Sequence, residues 1–407
     1  MGRAKQEMIE AEDRGWYESD GYVCPDCVED EFLKSVISDK ACHQSCDYCG
    51  KASDYDFASP VEALMELIRD TVFYYYNDPT CAGVPYDGGS FIFDPIDTHE
   101  VLESIGLECD GQLFDDVANA FITTGWVASA HGHWASSHQN EILNTSWNNF
   151  VNVVKHEVRY FFSRIPNSKK SYSQEYSPQQ LLSIIGHLAI ELKLIIILPL
   201  GISFYRVRER EDEADWEFDL DQMGPPPAAR AAAGRMNPAG ISYLYLAFEP
   251  QTALAEVLER PPCGAAIAQF DAQRDLTILD LTSLPLLPSI FDDSRRDQRE
   301  GLLFLNRFVA EISKPVRKDG REHVEYVPSQ VVSEYFALGF QTNGKLLDGI
   351  AYPSAVRPGG KNLVLFPCKR GYERNFDHVV FRSAQQLKFA NWPELLEIVT
   401  GANERVF

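Results

Sequence analysis

The cysteines of this chain are placed with a spacing that few structures satisfy. Cys24-Pro25-Asp26-Cys27 and Cys46-Asp47-Tyr48-Cys49 are two CxxC knuckles with 18 residues between them. Each knuckle puts two thiolates on one tight turn, and two knuckles close a tetrahedron around a metal ion. This predicts a structural Zn²⁺ held by Cys24, Cys27, Cys46 and Cys49, with Cys42 and His43 close enough in sequence to replace a ligand. A closed four-thiolate site keeps no open position for catalysis. Five of the nine cysteines fall between positions 24 and 49. Such clustering fits a metal site in a reducing compartment better than a secreted disulfide framework, so a cytoplasmic protein is expected.

Charge narrows the partners. The chain has 60 acidic against 37 basic residues, a net charge of −23, and residues 1–60 alone carry 14 acidic and 6 basic. A nucleic-acid binder needs the opposite balance, and so does a protein drawn to an anionic membrane. Residues 1–21 are polar, with no apolar signal segment, and the longest uncharged part of the apolar stretch at 181–205 is the 12 residues from Leu194 to Tyr205, too short to span a bilayer.

With 407 residues, two or three domains are expected. Composition separates a cysteine-bearing region at 1–58, a mostly helical region at 59–198 and a mixed α and β region at 199–407. Ser59-Pro60-Val61-Glu62 predicts a helix start with Ser59 as cap, followed by Leu64, Ile68, Val72 and Tyr75 on one face. Ser177-Pro178-Gln179-Gln180 repeats that signal. Phe150, Val154, Val158 and Phe161 predict a helix over 147–163. Residues 165–176 read as a polar linker and 82–95 as a Gly/Pro-rich loop. In the last region, strands are expected at 203–207, 242–247, 276–281, 347–352 and 362–366, and helices at 250–259, 299–312 and 329–338. The fold class is therefore multidomain: a zinc module, an α-helical domain and an α+β domain.

The stretch richest in chemistry is Gly234-Arg235-Met236-Asn237-Pro238-Ala239-Gly240, then Tyr243 to Ala247, then Thr252 to Val257 with Glu256. A cation sits on a glycine-bounded loop, an aromatic ring on a strand and one carboxylate on a helix. Arginine's fork of donors suits phosphate or a ribose-linked anion, and tyrosine can stack on a heteroaromatic ring. A carboxylate can stabilise a sugar whose anomeric carbon becomes cationic, as in glycoside hydrolysis. His131, His133 and His138 lie in a polar loop, and a second metal site there is disfavoured. His156 and His187 lie in helical patterns and read as structural.

This pattern resembles the RES-domain family. The family loop GRWN-x-x-G is matched from Gly234, its Tyr-bearing strand at Tyr245, its helical Glu at Glu256, and its late Ser segment at Ala351-Tyr352-Pro353-Ser354-Ala355-Val356. Phe204-Tyr205-Arg206-Val207 matches the entry strand, and Asn362 to Phe366 the strand after the Ser. The resemblance covers about residues 200–368, with its motifs in the family's order. The resemblance implies a toxin-type enzyme acting on NAD⁺, with a fold similar to ADP-ribosyltransferases. It implies catalytic roles for Arg235, Tyr245, Glu256 and Ser354, and NAD⁺-binding roles for Tyr205, Arg206, Asn237 and Asn362. The expected reaction is cleavage of the nicotinamide–ribose bond by water or phosphate. The alternatives are an ADP-ribosyltransferase that modifies a protein and a non-enzymatic nucleotide-binding adaptor. The resemblance leaves open an antitoxin or phage-derived trigger as partner, and a homo-oligomer.

The N-terminal half resembles the HEPN-like helical region paired with RES domains. Two departures stand out. Met236 replaces the family's Trp, and 59–198 has no Arg and His at the spacing of HEPN ribonucleases. Arg317 and His323 have that spacing but lie in the RES region, where it reads as coincidence. The helical region is therefore expected to be a scaffold or sensor.

Overall fold

In the computed structural model, which describes residues 3–161, 174–210, 219–258, 263–314, 322–370 and 373–389, the chain forms two compact units. One comprises Met1–Ile142 with Leu286–Leu303, the other Leu143–Pro285 with Phe304–Phe407. This division groups residues differently from the three composition regions. Among the described residues, no helix is long and apolar enough to cross a membrane.

The first unit is mostly helical. The cysteine knuckles share their core with the helices that follow: Val23, Cys24, Cys27, Leu33, Ile37, Leu64, Ile68, Val72, Leu102, Val117 and Trp126 are buried together. Asp30 caps the Glu31–Asp39 helix by accepting from the N–H groups of Phe32 and Leu33. Asp97 and Glu100 close a capping box on the Thr98–Ser104 helix. The expected helix after Ser59 is present, but it spans Glu62–Tyr75 and Ser59 does not cap it. Ser59 and Pro60 instead pair as a short strand with Val23 and Tyr22, which draws them out of capping geometry. The Gly/Pro-rich loop contains a small hairpin in which Asp87 pairs with Ser90. Its turn residues Gly88 and Gly89 have φ of 61° and 98°, the left-handed pair that a two-residue hairpin turn requires.

The helix expected at 147–163 begins earlier, at Gln139, and runs to Asn152 before a wider turn over Val153–Glu157. Val158 is already extended, so Phe161 lies outside the helix. Residues 165–173 of the expected linker lie outside the described residues, as does Arg317.

In the second unit, the Pro178–Glu191 helix has the expected box: Ser177 accepts from the Gln180 N–H, and the Gln180 side chain accepts from the Ser177 N–H. Lys193 takes a left-handed φ of 56° and the Leu194 N–H donates to the Ala189 carbonyl. That closure divides one apolar run into a helix and a strand.

The strand opens an eight-stranded sheet: β1 Ile195–Leu198, β2 Ser203–Arg210, β3 Leu244–Ala247, β4 Cys263–Ala272, β5 Leu276–Asp280, β6 Gly349–Pro353, β7 Lys361–Leu365 and β8 Val379–Phe389. Their order across the sheet is β8-β4-β2-β3-β7-β6-β5-β1. Only β5 and β6 run parallel. The sequence reading did not foresee β4 and β8, the two longest strands. One face buries Phe204, Leu244, Leu246, Phe270, Ile278 and Leu363. The other buries Val207, Ala247, Ala253, Leu254 and Ile267, with Ala253 and Leu254 supplied by the Pro250–Val257 helix.

Candidate active site

The four predicted cysteines converge. The sulfurs of Cys24, Cys27, Cys46 and Cys49 all lie within 4.8 Å of one another, with Sγ···Sγ separations of 3.5, 3.6 and 3.8 Å along three edges. A tetrahedron with metal–sulfur bonds of about 2.3 Å has edges of about 3.8 Å, so the four thiols fit a metal ion. Three of them are buried and Cys49 is exposed. Cys42 is exposed, and His43 stacks on Tyr22 at 4.1 Å, so neither joins the cluster.

The second convergence lies on the sheet. β2, β3, β7 and β6 are adjacent, and register places Tyr205 opposite Ala247, Ala247 opposite Asn362, and Asn362 opposite Tyr352. Residues directly opposite share a face, so this row lies beneath the Pro250–Val257 helix. Between sheet and helix is a cavity of about 190 Å³ whose lining includes Tyr205, Arg206, Tyr245, Glu256, Tyr352 and Asn362. Five of the eight predicted catalytic and ligand-binding residues therefore line one cavity.

Glu256 is exposed at the helix end, and one of its oxygens is fixed. Ser354 Oγ donates to Oε1 at 2.7 Å and Asn362 Nδ2 donates to the same oxygen at 2.6 Å. Oε2 has no partner among the described residues. The Ser354 hydroxyl also accepts from the N–H groups of Val356 and Arg357, at 3.3 and 3.1 Å. With one donor and two acceptor positions in use, that hydroxyl is saturated. Its turn is pinned to the helix start. Arg357 Nη1 donates to Thr252 Oγ1 at 3.0 Å, and Thr252 donates to Glu249 Oε2 at 2.7 Å. Gly360 packs so tightly here that a Cβ would lie 2.7 Å from Thr252 Oγ1.

Arg206 occupies a gap in the sheet. β2 and β3 pair at one position only, Tyr205 with Ala247, so the carbonyl of Tyr245 lacks a ladder partner on that side. Arg206 Nη1 donates to it at 3.2 Å, while its Nε is buried without a partner. Burial, and then the nearby Arg208 charge, lower its hold on the proton, yet a guanidinium remains charged.

Arg235 and Asn237 act on the glycine-bounded loop itself and do not line the cavity. Arg235 Nη1 donates to the carbonyls of Ile312 and Lys314, at 2.7 and 2.8 Å, where the Arg296–Ser313 helix ends. Its guanidinium also lies 5.7 Å from the Tyr326 ring centre. Asn237 Nδ2 donates to the carbonyls of Ala232, Pro238 and Ile241. The Tyr245 hydroxyl donates to Asn237 Oδ1 at 2.7 Å and accepts from the Met236 N–H at 2.9 Å. A Cβ on Gly234 would lie 2.6 Å from Asn237 Oδ1 and 2.7 Å from the Tyr245 hydroxyl, which explains the glycine. Met236 is buried, as an apolar filler should be. Burial pushes the Tyr245 phenol well above its ordinary range.

Several supporting residues had no signal in the sequence. Ser329 donates to the Arg235 carbonyl, and Gln330 Nε2 donates to the carbonyls of Gly234 and Asn237, at 2.8 and 2.9 Å. Arg357, which donates to Thr252, belongs to the same group. Each acts on a loop remote in sequence, so local spacing gave no pointer to it.

Comparison with family models finds two matches: HEPN/RES N-terminal domain 1 over residues 39–168 and the RES domain over residues 203–387. No curated protein and no solved structure matches the chain. The second match contains every residue of the sheet cavity and the first contains the second cysteine knuckle. The chain thus carries a RES domain preceded by HEPN/RES N-terminal domain 1.

Proposed function

We propose that the RES portion is an NAD⁺-consuming enzyme that cleaves the nicotinamide–ribose bond, acting as a toxin or defence effector by depleting NAD⁺. The observation that carries this reading is Glu256: one oxygen is locked by Ser354 and Asn362 and the other is left free beside an aromatic-lined cavity. As the bond breaks, its electron pair moves to the nicotinamide nitrogen and positive charge shifts onto the ribose. A fixed carboxylate stabilises that charge more in the transition state than in the bound substrate. At about 190 Å³ the cavity is smaller than a typical ligand pocket of roughly 300–1,000 Å³. It suits the nicotinamide–ribose end of the dinucleotide, with the remainder extending outside. Water or phosphate completes the reaction.

In this reading Ser354 and Asn362 hold the carboxylate. Tyr205 and Tyr245 offer ring faces. Arg206 supplies fixed positive charge, and Arg235 and Asn237 keep the loop in shape. The ADP-ribosyltransferase-like fold belongs to the same proposal. So do Zn²⁺ on the four cysteines, a cytoplasmic location, and domain limits at 1–58, 59–198 and 199–407. The test is incubation of the full chain with NAD⁺ and chromatography of the products. Free nicotinamide with ADP-ribose, or with its phosphorylated form when phosphate is present, is expected. Labelled protein would mean a transferase, and unchanged NAD⁺ a binding protein.

A further inference from the structure

Tyr352 is the cavity residue whose chemistry remains unused. Its side chain is 7% exposed, lines the cavity from β6 and lies directly opposite Asn362. No hydrogen bond to its hydroxyl is formed among the described residues, and that oxygen is not among the fully enclosed unpaired atoms, so the phenol of this buried residue keeps access to the cavity. Two other hydroxyls nearby are committed, Tyr245 to the loop and Ser354 to Glu256 and its own turn, and Tyr205, the remaining tyrosine of the lining, is less buried than Tyr352. Buried hydroxyls are nearly always hydrogen-bonded, because leaving one unpaired forfeits its hydration with no return. A tyrosine kept among buried groups with a free O–H, in a cavity that can admit a ligand, has its partner on that ligand.

We propose that the Tyr352 hydroxyl donates a hydrogen bond to a neutral acceptor on the substrate, the carboxamide oxygen of the nicotinamide group, and so selects for it. This rests on the NAD⁺ reading of the site. A neutral phenol is suited to the task. Burial, followed by the neighbouring Tyr245 and Glu256, pushes its ionisation far above neutral pH, so the proton stays available for donation. Glu256, held by Asn362, faces the ribose in this reading, and the apolar lining from Val207, Ala247 and Val257 offers a surface for the pyridinium ring.

The experiment compares wild type with Tyr352→Phe in the full chain, on NAD⁺ and on the analogue dinucleotide whose pyridinium carries hydrogen in place of the carboxamide. Wild type should prefer NAD⁺ by more than the difference in leaving-group ability alone, with about tenfold in kcat/KM contributed by one hydrogen bond to a buried group. Tyr352→Phe should lose about tenfold on NAD⁺ and little on the analogue, so the ratio of the two kcat/KM values should narrow by about tenfold. Its melting temperature should not fall, because no protein partner loses a bond. Equal losses on both substrates, or no loss on NAD⁺, would overturn the assignment while leaving the NAD⁺ reading intact. A wild-type chain that neither binds nor cleaves NAD⁺ would overturn both.

Discussion

Replacing Glu256 with Gln removes one negative charge and disturbs little else. Both protein donors, Ser354 Oγ and Asn362 Nδ2, address Oε1, at 2.7 and 2.6 Å. A Gln side chain keeps a carbonyl oxygen there and turns its NH₂ toward the position of Oε2. The folded state should therefore survive with an unchanged melting temperature. The chemistry should not. Two unit charges about 4 Å apart interact by about 4 kcal/mol at an effective dielectric constant near 20. Glu256 is exposed and the ribose carries only part of a charge in the transition state, so this figure is an upper bound. Removing one preorganised electrostatic contact typically lowers kcat by about 10²–10³, and that is the expected loss. KM should change much less, because charge on the ribose develops only as the bond breaks. The assay is nicotinamide release from NAD⁺ at saturating and limiting substrate. Full activity in Glu256→Gln would refute the reasoning and make the carboxylate an ordinary surface group. A raised KM with unchanged kcat would mean that it serves binding alone.

The zinc proposal expects about one equivalent of Zn²⁺ per chain, and Cys46→Ser or chelation should destabilise the first unit, whose core contains three of the four cysteines; a metal-free protein with the same melting temperature would overturn it. Arg235→Ala should cost about 1.5–3 kcal/mol in denaturant unfolding, since two charge-assisted bonds to the Ile312 and Lys314 carbonyls are lost. Arg235→Lys should recover only part, because it keeps the charge and loses the fork. His378 is buried, which holds its imidazole down at about 4 against 6.5 when free. Between those values the unfolded chain binds a proton that the folded chain refuses, so this contribution to stability is complete above pH 6.5 and is lost on acidification. Urea unfolding should show a fall of up to about 2 kcal/mol from pH 6.5 to 5 that His378→Gln abolishes; identical pH slopes in the two proteins would refute the assignment.

The sequence by itself determined the features that rest on local spacing. The CxxC pairs pointed to the four cysteines that converge because a knuckle is a local turn. Ser177-Pro178-Gln179-Gln180 fixed a helix start because all its hydrogen bonds lie within one turn. The ordered RES motifs pointed to Tyr205, Arg206, Tyr245, Glu256 and Asn362 before any contact between them was visible. What local patterns could not reach was decided by pairing across the chain. Ser59 carries a cap signal, yet pairing with Val23 outweighs it. β4 escaped notice because a strand buried on both faces, with Gly264, Ala265, Ala266 and Ala268, lacks alternation. Arg235 looked like a ligand anchor, and only the fold brings it to the helix end at Ile312, 77 residues away. The free oxygen of Glu256 and the free hydroxyl of Tyr352 are likewise tertiary facts, since whether a polar atom is already satisfied depends on neighbours that the chain supplies from elsewhere.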